Sequence, residues 1–338
     1  MRRRPRLIRK ILVETRLNRL AHWARLVICL VAAAHYGNAG AADAGSLLRI
    51  APPVALDAPD EPAPVERAPS PLAQMFDAGQ RALLNKDYPT AYRLLRNAAE
   101  QGHASAQCAL GDMYVAGQGV AADDVQALSW YRKAAEQRDA DAQASIGVMY
   151  ANGRGVAMDN EAAVKWFRLA AEQGDAGGQS NLGVMYLEGR GVDRNEAEAA
   201  NWIHMAAVQG ESLAQDNLGL LFRDGRGVEQ DEIEAAWWFR KSAEQGNAEA
   251  QTSLGLMYSE GRGVPKDNAE AVQWLRKGAE QGNALAQYYL GVSLAEGRGV
   301  DQDRDEALKW LTISARQGLA LARDYLWANG NISVESVN

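Results

Sequence analysis

AEAQTSLGLMYSEGRGVPKDNAEAVQWLRKGAEQGN, residues 248–283, contains the pattern that decides the fold of this chain. Its first half places Leu254 and Met257 at helical spacing, and its second half does the same with Ala271 and Trp274. Between the halves stands Gly-Arg-Gly-Val, whose two glycines disfavour a continuous helix. The segment therefore predicts two helices, called helix A and helix B below, joined by a tight turn.

The same pattern recurs at intervals of 36 residues without insertion. A lone helical hairpin cannot bury both of its apolar faces, so its stability depends on stacking against neighbours. The sequence therefore predicts an all-α fold, an α/α superhelical solenoid of helix-turn-helix repeats. The turns begin at Gly117, Gly153, Gly189, Gly225, Gly261 and Gly297, and helix B carries Trp130, Trp166, Trp202, Trp238, Trp274 and Trp310.

The ends of the helices follow from local sequence. Gly261 is expected to end helix A in a left-handed conformation, and Gly282 to end helix B. Asp267 is expected to begin helix B as its N-cap, with Glu270 completing a capping box. Arg138 stands where other repeats have the glycine that ends helix B, which predicts local strain.

Helix A also contains an internal glycine, Gly255 in this segment, at a cost of about 1 kcal/mol relative to alanine. We expect this glycine to make room for the large side chain of Trp274 on helix B. At the two ends the pattern breaks down. Residues 72–102 have lost the glycines of helix A, and residues 320–326 repeat helix A alone, with Trp327 in place of glycine. Both segments are predicted to cap the array.

The N-terminal region resembles an export signal. Residues 1–41 contain nine Lys/Arg, an apolar run of about nine residues and a stretch of small residues. The run is shorter than the roughly 20 residues that a membrane-spanning helix needs, so no transmembrane span is expected in the mature chain. The predicted organisation is a signal peptide or N-terminal anchor at 1–41, a disordered Pro/Ala-rich linker at 42–71, the solenoid with its caps at 72–330 and a tail at 331–338.

The charge beyond residue 41 argues against one class of partner. This part contains 27 basic and 42 acidic residues, a net charge of −15. Such a surface repels phosphate backbones, so we expect no nucleic-acid partner. Removal of the leader would leave Cys108 as the one cysteine, so no internal disulfide is predicted.

Residues with catalytic or ligand-binding chemistry are sparse. His103 and His204 lie about a hundred residues apart, and no His/Cys/Asp cluster has metal-ligand spacing. The Gly-x-Gly-Val turns lack the preceding strand and the following Lys-Ser/Thr of a phosphate loop. The turn arginines, such as Arg262, follow Asn or an acid and are expected to brace the turn electrostatically. The sequence predicts no catalytic residue, no metal and no cofactor, and hence not an enzyme.

The repeat closely resembles a known family. Its A-x-A-Q-x-x-L-G-x-x-Y start, G-x-G-V turn and W-x-x-x-A-A-x-Q-G finish are similar to SEL-one-like repeats, relatives of tetratricopeptide repeats. The resemblance covers residues 72–327. It implies a superhelix of helix pairs used as an adaptor in protein assemblies, secretion, envelope functions or contact with host cells. Some secreted relatives are cysteine-rich and linked to β-lactam binding or hydrolysis, but this chain lacks their repeated cysteine pairs.

Positions that differ between repeats are where we expect partner recognition, because columns fixed by packing cannot distinguish partners. On helix A these are positions 2, 5, 6 and 12, which share one helical side. Neutral surface drift is the alternative for any single residue, and the two tyrosines have cap covering as a second alternative. The candidate partner-binding residues are Asn181, Asp216, Asn217, Arg223, Leu285, Tyr288 and Tyr289.

The sequence favours an exported protein–protein interaction scaffold that binds a peptide or protein partner in the solenoid groove, in the periplasm or as a secreted protein. The asparagines suit the backbone of an extended peptide, and the tyrosines suit an apolar side chain. One alternative is an envelope enzyme or β-lactam-binding protein. A carrier of cell-wall saccharide is another, for which these columns hold few aromatics. The oligomeric state is not predicted.

Overall fold

A computed structural model describes residues 70–329, which contain fifteen α-helices and no strand. The predicted leader, most of the predicted linker and the predicted tail lie outside the described residues. The chain divides into two compact parts, Met1–Asp139 and Ala140–Asn338. An all-α repeat architecture is therefore confirmed.

The helices alternate as predicted between helix A and helix B. Each helix packs against the next one within its part, so consecutive hairpins stack. The N-terminal part contains α1 Pro71–Leu84, α2 Tyr88–Glu100, α3 Ala104–Ala116 and α4 Asp124–Glu136. The C-terminal part contains α5 Ala140–Asn152, α6 Asn160–Glu172, α7 Ala176–Glu188, α8 Glu196–Val208, α9 Ser212–Asp224, α10 Glu232–Glu244, α11 Ala248–Glu260, α12 Asn268–Glu280, α13 Ala284–Glu296, α14 Arg304–Arg316 and α15 Ala320–Ala328.

Glycine ends both helices of the repeat, as predicted. Gly261 has φ 72° and closes α11 in the left-handed conformation. At the end of α12, Gly282 has φ 91°, and its N–H donates to the carbonyl of Ala279 at 3.0 Å. The next N–H, from Asn283, reaches the carbonyl of Gly278 at 3.0 Å. This pair of bonds is a Schellman motif, which satisfies carbonyls that the helix leaves free.

The N-cap of helix B is confirmed, but the capping box is wrong. Asp267 Oδ1 accepts from the N–H of Ala269 at 2.9 Å and from that of Glu270 at 3.0 Å. The N–H of Asp267 donates to the carbonyl of Tyr258 in helix A, so it does not need the Glu270 side chain. Glu270 instead accepts from the indole N–H of Trp274 at 2.9 Å. The acid therefore orients the tryptophan one turn further along.

The internal glycine of helix A packs against a different residue from the one expected. A Cβ on Gly255 would lie 2.8 Å from Leu275 Cγ, the residue after Trp274. The equivalent residue faces Gly147, where a Cβ would lie 2.6 Å from the ring of Phe167. The prediction that these glycines make room for tryptophan is therefore wrong. They make room for the side chain that follows it, which fills the space inside the hairpin.

The tryptophans are placed instead between successive repeats. Trp274 is buried and belongs to one core cluster with Phe239 and Ala243 of the preceding helix B. Trp238 shares a cluster with Ile203 of α8 in the same way. The tryptophan column therefore buries apolar surface between neighbouring hairpins, which a single hairpin could not do.

Buried glutamines form a chain of hydrogen bonds, the glutamine relay, at joints between neighbouring repeats within each part. Gln251 of α11 donates to the carbonyl of Ala243 at 3.1 Å, at the end of the preceding helix B. It accepts from Gln281 at 2.8 Å, and Gln281 also donates to the carbonyl of Gly246 at 2.9 Å. Because the buried amide gains partners on both sides, the relay aligns three helices without leaving an amide unsatisfied. Equivalent bonds join Gln107 to Gln137, Gln143 to Gln173, Gln179 to Gln209, Gln215 to Gln245 and Gln287 to Gln317.

The turn itself joins two repeats. A Cβ on Gly263 would lie 1.8 Å from the carbonyl oxygen of Glu232, so only glycine fits against the start of the preceding helix B. Arg262 braces its own turn through Glu260 at 3.5 Å, as predicted, and it also pairs with Glu232 at 2.7 Å. The second pair links the turn to the neighbouring hairpin. In the same way, Arg226 pairs with Glu196 at 2.8 Å.

The two ends differ from expectation in one respect. A Cβ on Gly79 of α1 would lie 2.7 Å from Leu95 of α2, so the first hairpin keeps an internal glycine, contrary to the prediction. It was missed because only 16 residues separate this pair, against 20 between Gly255 and Leu275. At the other end, α15 is a single helix that packs on α14, as predicted for a cap.

The first prediction compares two glycines of α7. Gly183→Ala should lower the free energy of unfolding by roughly 1–3 kcal/mol, because the new methyl would lie 2.5 Å from Ile203 Cγ1. Gly177→Ala should raise it by about 0.5–1 kcal/mol, because Gly177 has space and alanine favours the helix. Urea denaturation measures both, and a loss of stability in both variants would contradict the close approach at Gly183.

The second prediction concerns Arg138, which has φ 65°. Arg138→Gly should raise the melting temperature, because a left-handed non-glycine residue costs roughly 1–2 kcal/mol and the flexibility of glycine offsets only part of this. The reciprocal change Gly174→Arg should lower it, since Gly174 has φ 91° with no atom within 4 Å of a Cβ. Calorimetry measures both melting temperatures. If neither variant changed its melting temperature, the left-handed conformation of Arg138 would not destabilise the fold.

Candidate functional site

The candidate site is the side of helix A that points away from helix B in the C-terminal part. Positions 2, 6, 9 and 13 of helix A fall on this side because they recur at helical spacing. Helices α5 and α7 contact each other directly. The 36-residue repeat places the same positions on each following helix A, so together they form one surface. We call this surface face A. At position 9 it has a half-buried aliphatic row: Val184, Leu220, Leu256 and Val292.

The aliphatic row was missed in the sequence because it varies too little. Position 9 is Val or Leu in every repeat of the C-terminal part, so it resembled a core column. A core column would be fully buried, as Leu254 is, whereas Leu220 and Leu256 keep part of their surface exposed. The signal was the angular position of this column, which lies opposite the buried positions 3, 7 and 10.

Three of the predicted residues lie deeper than expected. Asp216 is completely buried, and Asn181 and Asn217 are buried with only a small exposed fraction. Asp216 therefore cannot touch a partner in this conformation. The two asparagines occupy position 6 on neighbouring helices, at the edge of face A. Asn217 Nδ2 has no acceptor among residues 70–329.

A buried carboxyl group lies beside them. Glu211 caps α9, its Oε1 accepting from the N–H of Leu213 at 3.1 Å and its other oxygen accepting from that of Ala214. The Ser180 hydroxyl also bonds to this carboxyl group. Burial raises the pKa of Glu211, and these hydrogen bonds counteract the rise only in part. Ionisation of the Glu211 carboxyl group is therefore less favourable in the folded protein than it is in water.

Arg223 is held by its own neighbours. Its Nε lies 3.0 Å from Asp224 Oδ1, and its backbone carbonyl accepts from Gln230 at 2.9 Å. It remains partly exposed at the end of α9, next to the turn. Its guanidinium charge is thus compensated within the chain.

Leu285, Tyr288 and Tyr289 come together on α13, where all three are half-buried. The Tyr288 ring contacts that of Tyr289 at 5.0 Å and that of Tyr325 in the cap helix at 6.3 Å. Burial raises the pKa of Tyr288 to about 12. Tyr288 therefore covers the cap, as one alternative held, while Tyr289 and Leu285 extend face A.

The structure thus places six of the seven candidates in two groups, with Arg223 apart from both. Asn181, Asp216 and Asn217 lie together on α7 and α9, and the tyrosines with Leu285 lie two repeats further along. Arg223 lies at the far end of α9. Of the aliphatic row, Leu220 lies on α9 with the first group, and Leu256 lies on α11, between the two groups.

The histidines and the cysteine of the described residues pack or form hydrogen bonds within the fold. His103 Nδ1 caps α3 by accepting from Ala106 at 3.2 Å, and its ring stacks on Phe76 at 4.6 Å. His204 lies edge-on to Trp238 at 5.9 Å. Cys108 is buried. Between residues 70 and 329 no group of three His, Cys, Asp or Glu side chains is placed to hold a metal ion. No helix within the same range is both long and apolar enough to span a membrane.

Comparison with known families decides what kind of repeat this is. Seven consecutive segments match the Sel1 repeat, namely residues 72–103, 104–139, 140–175, 176–211, 212–247, 248–283 and 284–319. The chain belongs to the Sel1 repeat family. The first segment confirms that the hairpin with Gly79 is a repeat, one more than the six predicted. Sel1 repeat proteins generally mediate protein–protein interactions and are typically non-catalytic.

Two solved structures support the assignment. A protective antigen of uropathogenic Escherichia coli strains, which displays an SLR fold, is 39% identical, with a TM-score of 0.66 over 78% of this chain. This chain spans 58% of that antigen's length. A Sel1 repeat protein from Oxalobacter formigenes is 32% identical, with a TM-score of 0.64 over 71% of this chain and 96% of its own. No curated protein matches the chain.

The third prediction tests the buried Glu211 carboxyl. Because burial holds its folded-state pKa above the reference value of 4.5, the native state loses stability as the pH rises through and beyond 4.5. Glu211→Asn should therefore be more stable than the parent at pH 7, since Asn247 and Asn283 cap the same position without a charge. The difference should shrink towards pH 4. Urea denaturation at several pH values measures it, and a constant difference would contradict the burial cost.

Proposed function

We propose that this Sel1 repeat protein is an exported adaptor, periplasmic or secreted, whose face A binds an extended segment of a partner protein. The observation that carries the proposal is the aliphatic row, which places a half-exposed Val or Leu on four successive helices A, α7, α9, α11 and α13. Residues on the surface of a helical scaffold are free to be polar. A sustained apolar row is therefore consistent with a surface that a partner covers.

Polar groups beside the row suit a peptide backbone. Asn181 and Asn217 stand at the same position on adjacent helices, at the edge of the row. The Asn217 amide has a donor without an acceptor, and the carbonyl of a partner that reached it would satisfy this donor. Asparagine amides that bond a backbone, next to pockets that take alternate side chains, are a common way to hold an extended segment.

The end of face A supplies an apolar anchor. Leu285 and Tyr289 are half-buried next to Val292, and Tyr289 packs against the core of α13 and α14. A rigid aromatic side chain that is already half-buried loses little conformational freedom on binding. Tyr289 is therefore the best-placed of the predicted residues to contribute strongly to affinity, followed by Leu285. Arg223 would add a polar contact at the rim.

Export rests on the N-terminal sequence alone. The basic stretch, short apolar run and small residues of 1–41 favour a signal peptide or an anchor. The acidic surface that follows disfavours nucleic acid as a partner.

The fourth prediction is a loss of partner capture. The full chain, immobilised and exposed to envelope and secreted proteins, should retain a specific partner. Leu256→Ala combined with Tyr289→Ala should reduce its retention at least about tenfold, because both changes remove apolar contact area at the proposed site.

The matched control is Gln273→Ala, on the opposite side of the array in helix B, where the side chain is exposed. It should capture the partner as the parent does. Equal retention by the parent and the face A variant would remove face A as the binding site. Hydrolysis of a chromogenic β-lactam by the purified chain, lost on a single substitution, would favour the enzyme alternative instead.

A further inference from the structure

The outer face of two helices B, α8 and α10, has an apolar character that packing does not require. On α10, Ile233 is 71% exposed and Trp237 is 47% exposed, one turn apart. On α8, Met205 and Val208 are exposed in the same way. We call these four residues, with Glu234 and Lys241 on α10 and Ala197 and Asn201 on α8, the α8–α10 face. It lies on the side opposite face A.

Comparison between repeats shows that this apolar character is local. Position 26 of the repeat, which is Trp237 here, is polar in every other full-length repeat, and position 33, which is Val208 here, is otherwise charged. The repeat therefore folds well with polar residues at both positions. The equivalents of Trp237 are Ser129, Lys165, Asn201, Gln273 and Lys309, and those of Val208 are Glu136, Glu172, Glu244, Glu280 and Arg316.

Helix α8 adds a second unusual property. Its exposed positions are Ala197, Asn201, His204, Met205 and Val208, which include no Lys, Arg, Asp or Glu. The surrounding surface is strongly charged, since residues 176–247 contain twelve acidic and six basic side chains. An uncharged, largely apolar strip in such a surface is characteristic of a site of protein contact.

We propose that the α8–α10 face pairs with the same face of a second copy of this chain, with α10 antiparallel to its counterpart and centred on Trp237. Antiparallel pairing places residues before Trp237 opposite residues after it. Glu234, three residues before, then approaches Lys241 of the second copy, four residues after. The twofold symmetry forms this ion pair twice.

The same register suits the apolar residues. Ile233 comes opposite the aliphatic stem of Lys241, and the two Trp237 rings meet at the centre. Trp237 already lies edge-on to Trp238, with ring centroids 4.4 Å apart, so this contact restricts the position of its indole. On α8, Asn201 is aligned with Trp237 by the 36-residue repeat, so Met205 comes opposite the small Ala197 of the second copy.

The charges favour a second copy over an unrelated partner. A basic segment laid on this face would meet Lys241, and an acidic segment would meet Glu234 and Glu244, all of which are exposed. The reversed face of another copy brings Glu234 of each copy close to Lys241 of the other, so it offers both signs at once. Charge complementarity of this kind sets the choice of partner more than the affinity.

The size of the face predicts a weak dimer. Two helices of 13 residues are each about 20 Å long and about 10 Å wide, which gives a footprint of roughly 400 Å² per copy. The total of about 800 Å² lies below the usual range for stable complexes. We expect dissociation in the micromolar range, with dimers forming only at elevated concentration.

Sedimentation velocity of the purified full chain tests the dimer over concentrations from about 1 to about 100 μM. The parent should shift from monomer towards dimer across this range. Trp237→Lys should raise the dissociation constant at least about tenfold. Lysine stands naturally at the equivalent positions 165 and 309, so the fold should be retained, and an unchanged melting temperature checks this. The control Trp327→Lys changes another exposed tryptophan and should leave dimerisation unaltered.

A charge exchange tests the register. Glu234→Lys or Lys241→Glu alone should weaken the dimer, because each places like charges opposite one another, and the double variant should restore it. A parent that stays monomeric throughout would overturn the proposal. So would a dimer that withstands Trp237→Lys, one that is lost in Trp327→Lys, or one that the double variant does not restore.

Discussion

The dependence of each hairpin on its neighbour is the constraint from which the rest of this structure follows. Inside a hairpin, a glycine of helix A lets a side chain such as Leu275 fill the space between the helices. The tryptophan beside it cannot be buried there, so Trp274 is buried against the preceding repeat instead. The glutamine relay and the contact of Gly263 with Glu232 fix the distance and the register of the same joint. Apolar burial thus drives stacking, and hydrogen bonds and close contacts make it specific.

Because the packing columns occupy only part of each helix, two surfaces of the array are free to vary. Helix A presents face A, formed by positions 2, 6, 9 and 13, while the packing columns occupy the opposite side of the helix. Helix B presents its outer side, where Trp237 and Val208 replace polar residues without disturbing the joint. A repeat protein can therefore acquire recognition on either surface while the columns that hold it together stay the same.

Much of the fold was predictable because local rules decide it. Gly261 and Gly282 end helices, and Asp267 begins one, for reasons contained within a few residues. The partner of Gly255 was not predictable, because Trp274 and Leu275 are adjacent in sequence and only their direction from helix B separates them. The candidate site was predicted less well. Variability between repeats pointed to Asp216, which is buried, and away from Leu220 and Leu256, which are not, since variation by itself does not report exposure.

Native-state hydrogen exchange on Trp274→Ala tests the central claim most directly, because this tryptophan lies in its own repeat but is buried against the one before. Mutual stabilisation predicts that amides lose protection in both α12 and α10, Glu232–Glu244, with smaller effects in more distant repeats. A loss confined to α12 would contradict the account, since it would mean that each hairpin is stable by itself.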